Sequence, residues 1–182
     1  MSGAPACRHC NAPLEVSVVD LGQTPLANNY LPADAPPDAD RGSELHARLC
    51  TRCNLVQVRD AVDPEAIFSD YAYFSSYSTS WLDHARAFAD RAIQRFALGA
   101  DDLVVEIASN DGYLLKNFVA RDIDLLGIEP AANIAIVAEE NGVPTRSAFF
   151  GRELARELVA EGARPALVVG INVFAHVPEI ND

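Results

Sequence analysis

The sequence predicts an α/β protein: an open parallel sheet preceded by a small, four-cysteine zinc-binding module. Three observations predict it. All four cysteines fall in two matched pairs, Cys7/Cys10 and Cys50/Cys53. Residues 1–60 are interrupted by Pro5, Pro13, Pro25, Pro32, Pro36 and Pro37, which exclude long helices there. From Asp102 onward, short apolar runs alternate with helical stretches, the order that gives parallel strands and right-handed crossovers.

Composition narrows the function classes. A chain of 182 residues holds one medium domain or two small ones. Hydrophobic content of 49% and charged content of 22% are ordinary for a globular protein. No apolar run approaches the roughly 18 residues of a membrane span, so no membrane partner is expected. The stretch Met1–Cys10 lacks the apolar core of a secretory signal, so a cytoplasmic location follows by default. The formal charge is −12, from 14 basic and 26 acidic residues. Proteins bind nucleic acid by neutralising phosphates with Lys and Arg, so that balance argues against such a partner.

Taken in order, Leu14–Leu21 and Leu55–Val58 read as short strands, and Pro32–Gly42 as an exposed loop. Asp63–Asp70 is a connector with a short helix. Apolar residues at helical spacing (Trp81, Ala85, Phe88, Ala92, Phe96) predict a helix over 80–96, with Ser80 as N-cap and Gly99 at the exit. Strands are expected at Leu103–Ile107, Leu125–Ile128, Val143–Thr145 and Ala166–Ile171. The helices between them are expected at Tyr113–Arg121, Ala131–Glu140 and Gly151–Glu161. No internal repeat stands out. The chain stops eleven residues after the fourth strand. An open sheet ending there would leave an unprotected edge, so the sequence reads as cut short.

The cysteines form Cys7-x-x-Cys10, 39 intervening residues, then Cys50-x-x-Cys53. Four thiolates in a tetrahedron suit zinc. The long gap matters little, because each doubling of a loop costs only about 0.6 kcal/mol. Structural zinc contributes roughly 10–16 kcal/mol of coupled folding energy. Disulfides disagree with a reducing compartment, and a redox pair calls for one such motif, not two. His9 and His46 could stand in for a thiolate, but a complete set of four makes that unnecessary. With no ligand position left over for catalysis, the site is structural. Four thiolates and one zinc ion move the formal charge from −12 to about −14.

A strand leads into a turn at Glu106-Ile-Ala108-Ser-Asn110-Asp111-Gly112. Open α/β sheets bind ligands at such strand ends. A dinucleotide fingerprint needs several glycines, and only Gly112 is present. Glu106 and Asp111 would repel a pyrophosphate but accept hydrogen bonds from a cationic amino acid. S-adenosylmethionine carries a sulfonium, an ammonium and no phosphate, so charge favours it over NAD. Glu129 ends the next strand and is placed to grip ribose hydroxyls. The bland alternative makes Glu106 and Glu129 surface acids. Phe149 and Phe150, after the third strand, either flank an adenine ring or pack in the core. Asn172 and His176 follow the fourth strand, facing the ligand crevice or serving structure. Tyr71, Tyr73, Phe74 and Tyr77 either pack between the two parts of the chain or form a lid over a substrate.

As a set, these segments resemble the zinc-containing sugar C-methyltransferases of deoxysugar biosynthesis. The matching stretches are Cys7-Arg-His-Cys10, Asp20-Leu-Gly22 with Pro25-Leu-Ala-Asn28, Leu49-Cys50 through Gln57, Tyr73-Phe-Ser-Ser-Tyr77-Ser78, Glu106 through Gly112, Gly127-Ile-Glu-Pro130 and Asn172-Val-Phe-Ala-His176. The resemblance implies a Rossmann-like class I methyltransferase domain. It implies methyl transfer from S-adenosylmethionine to C3 of a nucleotide-linked 4-keto-6-deoxysugar. The ketone acidifies C3, a base removes its proton, and general-base help is typically worth about 10²–10⁴-fold. Carried onto this chain, Tyr73, Tyr77 and His176 face the sugar. Glu106, Ala108, Asn110, Asp111, Gly112, Glu129, Phe149 and Asn172 line the cofactor site. Ala108 departs from the family's usual glycine, and the family's downstream Glu-His pair has no counterpart before Asp182.

The expected division is a zinc-binding module over 1–70, an aromatic segment and linking helix over 71–100, and the N-terminal half of the cofactor domain over 101–182. Two other readings compete with the enzyme. One is a non-catalytic zinc and nucleotide-binding scaffold. The other is a zinc ribbon for nucleic acid, which the acidic balance opposes.

Overall fold

The computed structural model describes residues 5–27, 30–36, 39, 42–59, 63–68, 71–177 and 179–182. Asn28, Pro37, Asp70 and the first four residues lie outside them. The chain forms two compact units, residues 68–176 and residues 1–67 with 177–182.

The smaller unit carries an antiparallel sheet, β1 (Val16–Thr24), β2 (Ser43–Leu49) and β3 (Val56–Gln57), in the order β1-β2-β3. β2 was not anticipated, although Ser43-Glu-Leu-His-Ala-Arg-Leu49 alternates polar and apolar residues, the mark of a strand. Its polar face gathers charges. His46 Nε2 lies 2.8 Å from Ser17 Oγ, and Arg48 donates to His46 Nδ1 at 2.7 Å and to Glu44 at 3.2 Å. The Pro32–Gly42 loop holds no helix or strand among its described residues. A short helix, α1 (Pro64–Phe68), follows.

In the larger unit, α2 (Thr79–Phe96) leads to β4 (Leu103–Ile107). The N-cap is Ser78, whose hydroxyl accepts from Trp81 N at 3.4 Å, rather than Ser80. Ser76, Ser78, Thr79 and Ser80 are all cap-competent types, so spacing alone cannot choose. The helix ends at Ala97, left-handed at φ 51°, not at Gly99. Burying Leu98 against Ile93, with Leu98 N bonded to Ile93 O at 3.1 Å, forces the turn two residues early.

The helix expected over 113–121 is instead two 3₁₀ turns, Leu115–Asn117 and Val119–Arg121. Asn117 Nδ2 occupies the carbonyls of Tyr113 (3.1 Å) and Leu114 (2.8 Å), competing for acceptors an α-helix would use. The remaining elements are β5 (Asp124–Ile128), α3 (Ala132–Glu140), β6 (Thr145–Arg146), α4 (Arg152–Ala160) and β7 (Pro165–Gly170).

The four strands are parallel in the order β6-β5-β4-β7. Val104 packs on one face with α2, while Val105 packs on the other with Leu154 and Leu158 of α4. From β4 the chain steps outward to β5 and β6, then returns to β7 on the other flank. The carboxyl end of β4 is thus a Rossmann-like switch point, where open sheets receive ligands. No helix among the described residues is long and apolar enough to cross a membrane.

Candidate functional site

The metal site is built from two copies of one knuckle. In each, the residue after the second cysteine is left-handed: Asn11 at φ 59° and Asn54 at φ 62°. Asn tolerates that conformation better than other residues with side chains. Each Asn amide bonds back to the first cysteine's carbonyl, Asn11 to Cys7 at 2.9 Å and Asn54 to Cys50 at 2.8 Å. Cys7 N and Cys50 N reach Ala12 O and Leu55 O at 2.8 and 2.9 Å. The repeated Cys-x-x-Cys-Asn pentapeptide is the internal repeat that the sequence reading overlooked.

The four sulfur atoms lie within 4.8 Å of one another, with Cys7–Cys53 at 3.6 Å and Cys10–Cys50 at 3.5 Å. Sulfurs at 2.3 Å from a tetrahedral zinc stand about 3.8 Å apart, so the set fits that ion. They are too far apart for disulfides. Burial alone would push the Cys7 thiol up, but the Cys10 amide, the Gln57 side chain and the His9 amide bring it down to about 6. At Cys53 the Leu55 amide favours the thiolate, yet burial and the other three sulfurs push it up to about 12. Crowded sulfurs disfavour a full set of thiolates, and a divalent metal held by Cys7, Cys10, Cys50 and Cys53 would offset that repulsion. Gln57, buried at 7% exposure, donates through Nε2 to Cys7 Sγ at 3.2 Å and accepts from Arg8 N through Oε1 at 2.8 Å. It supports a ligand from behind.

In the larger unit, the turn after β4 is a run of unusual backbone. Ala108, Asn110 and Gly112 all have positive φ, at 54°, 49° and 75°. A side chain at Gly112 would be strained twice, by the positive φ and by a Cβ lying 2.8 Å from Val143 Cγ2, so the neighbour would have to shift. Gly127 on β5 makes room for Ser109, whose Oγ would stand 2.6 Å from an added Cβ.

Three carboxylates line this turn, all nearly inaccessible: Glu106 (0% exposed), Asp111 (0%) and Glu129 (5%). Glu129 is well held, accepting from Asn110 N through Oε2 and from Ala131 N through Oε1, both at 2.9 Å. Burial still raises its affinity for a proton above the ordinary value, with those two amides opposing. Glu106 has no hydrogen-bond partner on either oxygen, and Asp111 Oδ1 and Ser109 Oγ are likewise unmatched. Burial, then the charge of Glu129, pushes Glu106 well above the carboxylate range. The Tyr113 hydroxyl works against the shift from outside hydrogen-bonding geometry. No Lys or Arg pairs with any of the three among the described contacts. Unpaired buried acids are costly, and orphaned buried oxygens call for a ligand that donates hydrogen bonds or positive charge.

Tyr113 was not singled out from sequence. It is 4% exposed, stacks on Trp81 at 5.9 Å, and is pushed to a higher pKa by burial and then by Glu106. Its apolar neighbours, Leu114 and Leu115, disguised it as core.

Asn110 and Asp111 point toward the aromatic segment. Asn110 Oδ1 accepts from Ser75 N at 2.8 Å, its Nδ2 donates to Tyr73 O at 3.1 Å, and Asp111 Oδ2 accepts from Ser76 N at 3.2 Å. His176, exposed after β7, joins the same segment through aromatic edges. His176 meets Phe68 at 5.6 Å, Phe68 meets Tyr71 at 5.6 Å, and Tyr71 meets Tyr73 at 6.3 Å. Tyr77 is open to solvent at 77% exposure and rests against Phe74 at 5.5 Å. Phe149 and Phe150 are exposed beyond β6, not packed in the core. Asn172 is exposed and left-handed, at φ 54°.

Comparison with known proteins gives three matches. Residues 7–68 match the family described as "Putative zinc binding domain". Over 176 residues, 97% of its length, the chain is 35% identical to C-methyltransferase NovU of Streptomyces niveus. The chain spans 42% of that relative's length. A partial likeness, with TM-score 0.40 and 20% identity over 56% of this chain and 44% of the other, links it to SAM-bound CalS10, an amino pentose methyltransferase from Micromonospora echinaspora.

Proposed function

We propose that the chain, 35% identical over 176 residues to part of a C-methyltransferase and matched over residues 7–68 by a zinc-binding domain family, binds S-adenosylmethionine at the carboxyl end of β4 and methylates a sugar. The observation that carries this reading is the cation-free set of buried carboxylates, Glu106, Asp111 and Glu129. A pyrophosphate would be repelled there. An amino acid ammonium and a sulfonium would be attracted, strongly so away from water.

Glu129 is the ribose acid, because its position at the end of β5 is where such folds take up paired hydroxyls. Glu106 and Asp111 offer unmatched oxygens that the ammonium of the cofactor's amino acid end would satisfy. Ala108, Gly112, Phe149 and Asn172 complete the lining. When bound, the cofactor supplies an electrophilic methyl group. Tyr73, Tyr77 and His176 face the acceptor, a nucleotide-linked keto-deoxysugar methylated at C3 beside its C4 ketone. Their hydroxyl and imidazole groups hold the ketone oxygen and take part in moving the C3 proton. The zinc ion is structural, and a cytoplasmic setting goes with four reduced thiols.

Titration calorimetry with S-adenosylhomocysteine tests the reading. Binding should be measurable and should weaken strongly in Glu129→Ala. A folded sample that gives no heat with about millimolar ligand would remove the enzyme assignment and leave the scaffold reading in its place.

A further inference from the structure

The segment 71–74 is an irregular strap that carries Tyr73 and closes in a 3₁₀ turn over Ser75–Tyr77. Its main chain is held by side chains. Asn133, in the first turn of α3, accepts from Tyr71 N through Oδ1 at 3.3 Å and donates through Nδ2 to Tyr71 O at 2.9 Å. Asn110 repeats the arrangement farther along, on Ser75 N and Tyr73 O. Asp111 takes Ser76 N. A primary amide offers a donor and an acceptor side by side, as a neighbouring strand would, so two asparagines do the work of a short ladder.

The anchor points are not scattered over the surface. Asn110 lies in the turn after Glu106, and Asn133 lies in the helix opened by the loop after Glu129. Glu129 joins the two loops by accepting from Asn110 N and Ala131 N. Resting on the cofactor reading above, we propose that Asn133 and Asn110 are positioning residues. They clamp the strap to the two acid-bearing loops, so that filling the cofactor site fixes where Tyr73 and Tyr77 stand. On this account the side-chain amide of Asn110 serves the strap, and only its backbone belongs to the cofactor site.

Two substitutions separate this from a general loss of structure. Asn133→Ala removes one clamp in a helix where alanine is the better helix former. Asn110→Gly removes the other while keeping the left-handed backbone comfortable. The measurement is amide hydrogen exchange of the whole chain, with and without S-adenosylhomocysteine. Asn133→Ala should speed exchange at Tyr71 about fivefold or more, the worth of one net hydrogen bond, and leave Ser75 near its wild-type rate. Asn110→Gly should do the reverse. In the wild type the ligand should slow exchange across Ser75 and Ser76, and Asn110→Gly should abolish that slowing. Wild-type rates at Tyr71 and Ser75 in both variants would overturn the proposal. So would a wild type that binds ligand without any slowing of the strap. A wild type that fails to bind sinks the cofactor reading instead, while the unliganded comparison still decides the clamp.

Discussion

Replacing Glu106 with glutamine should stabilise the protein as pH rises, while weakening its hold on cofactor. Glu106 is fully buried, neither oxygen has a partner, and Glu129 and Asp111 add negative charge nearby. Burial first, then the charge of Glu129, raises its folded titration well above the ordinary 4.5. In the unfolded chain it ionises near that ordinary value. Below it, both states hold the proton and stability is fully present. Between the two titrations the folded protein alone holds the proton, so stability falls as pH rises through that window. Each pH unit spent there costs about 1.4 kcal/mol.

Glutamine keeps the shape but does not titrate. The stability advantage of Glu106→Gln should therefore grow by about 1.4 kcal/mol per pH unit and then level off. Glu129, also raised, titrates in both proteins and cancels from the difference to first order. Urea unfolding over a pH series starting above the ordinary carboxylate value, with zinc held in excess, is a suitable assay. Trp81, the single tryptophan, reports it from its stack on Tyr113. Affinity for S-adenosylhomocysteine should rise with pH in the wild type, because its ammonium group is held more tightly by the ionised acid, and should flatten and fall in the variant. A stability difference that ignores pH, or a variant less stable throughout, would refute the argument that an unpaired buried carboxyl waits for a ligand.

Other perturbations carry opposite signs. Ala108→Gly should stabilise by roughly 0.5–1 kcal/mol in thermal or urea unfolding, since φ 54° strains alanine by about 1–2 kcal/mol and glycine returns part of that as unfolded-state entropy. Elemental analysis should find one zinc per chain, and Gln57→Ala should release it to a chelator roughly 10-fold faster, because Cys7 loses its buried donor.

The sequence by itself determined the metal set and the succession of strands from Leu103 onward, but not β2. The four cysteines, the proline-broken first third and the apolar runs from Leu103 onward are local signals, and local spacing decides them. Glu106 and Glu129 were readable as strand-end acids for the same reason, since the end of an apolar run marks the end of a strand. The order β6-β5-β4-β7, and with it the convergence of those acids, arises from pairings between residues far apart in the chain.

Only the tertiary structure could show that Asn110 turns to the strap, that Asn133 grips Tyr71, or that Tyr113 is more than core. Each depends on which long-range partner a polar group finds once water is excluded. The same competition undid local expectations. Asn117 captured carbonyls that a helix over 113–121 needed, and burial of Leu98 moved the end of α2 from Gly99 to Ala97. Local pattern proposes an element, but satisfying buried hydrogen bonds and filling the core decide its final form.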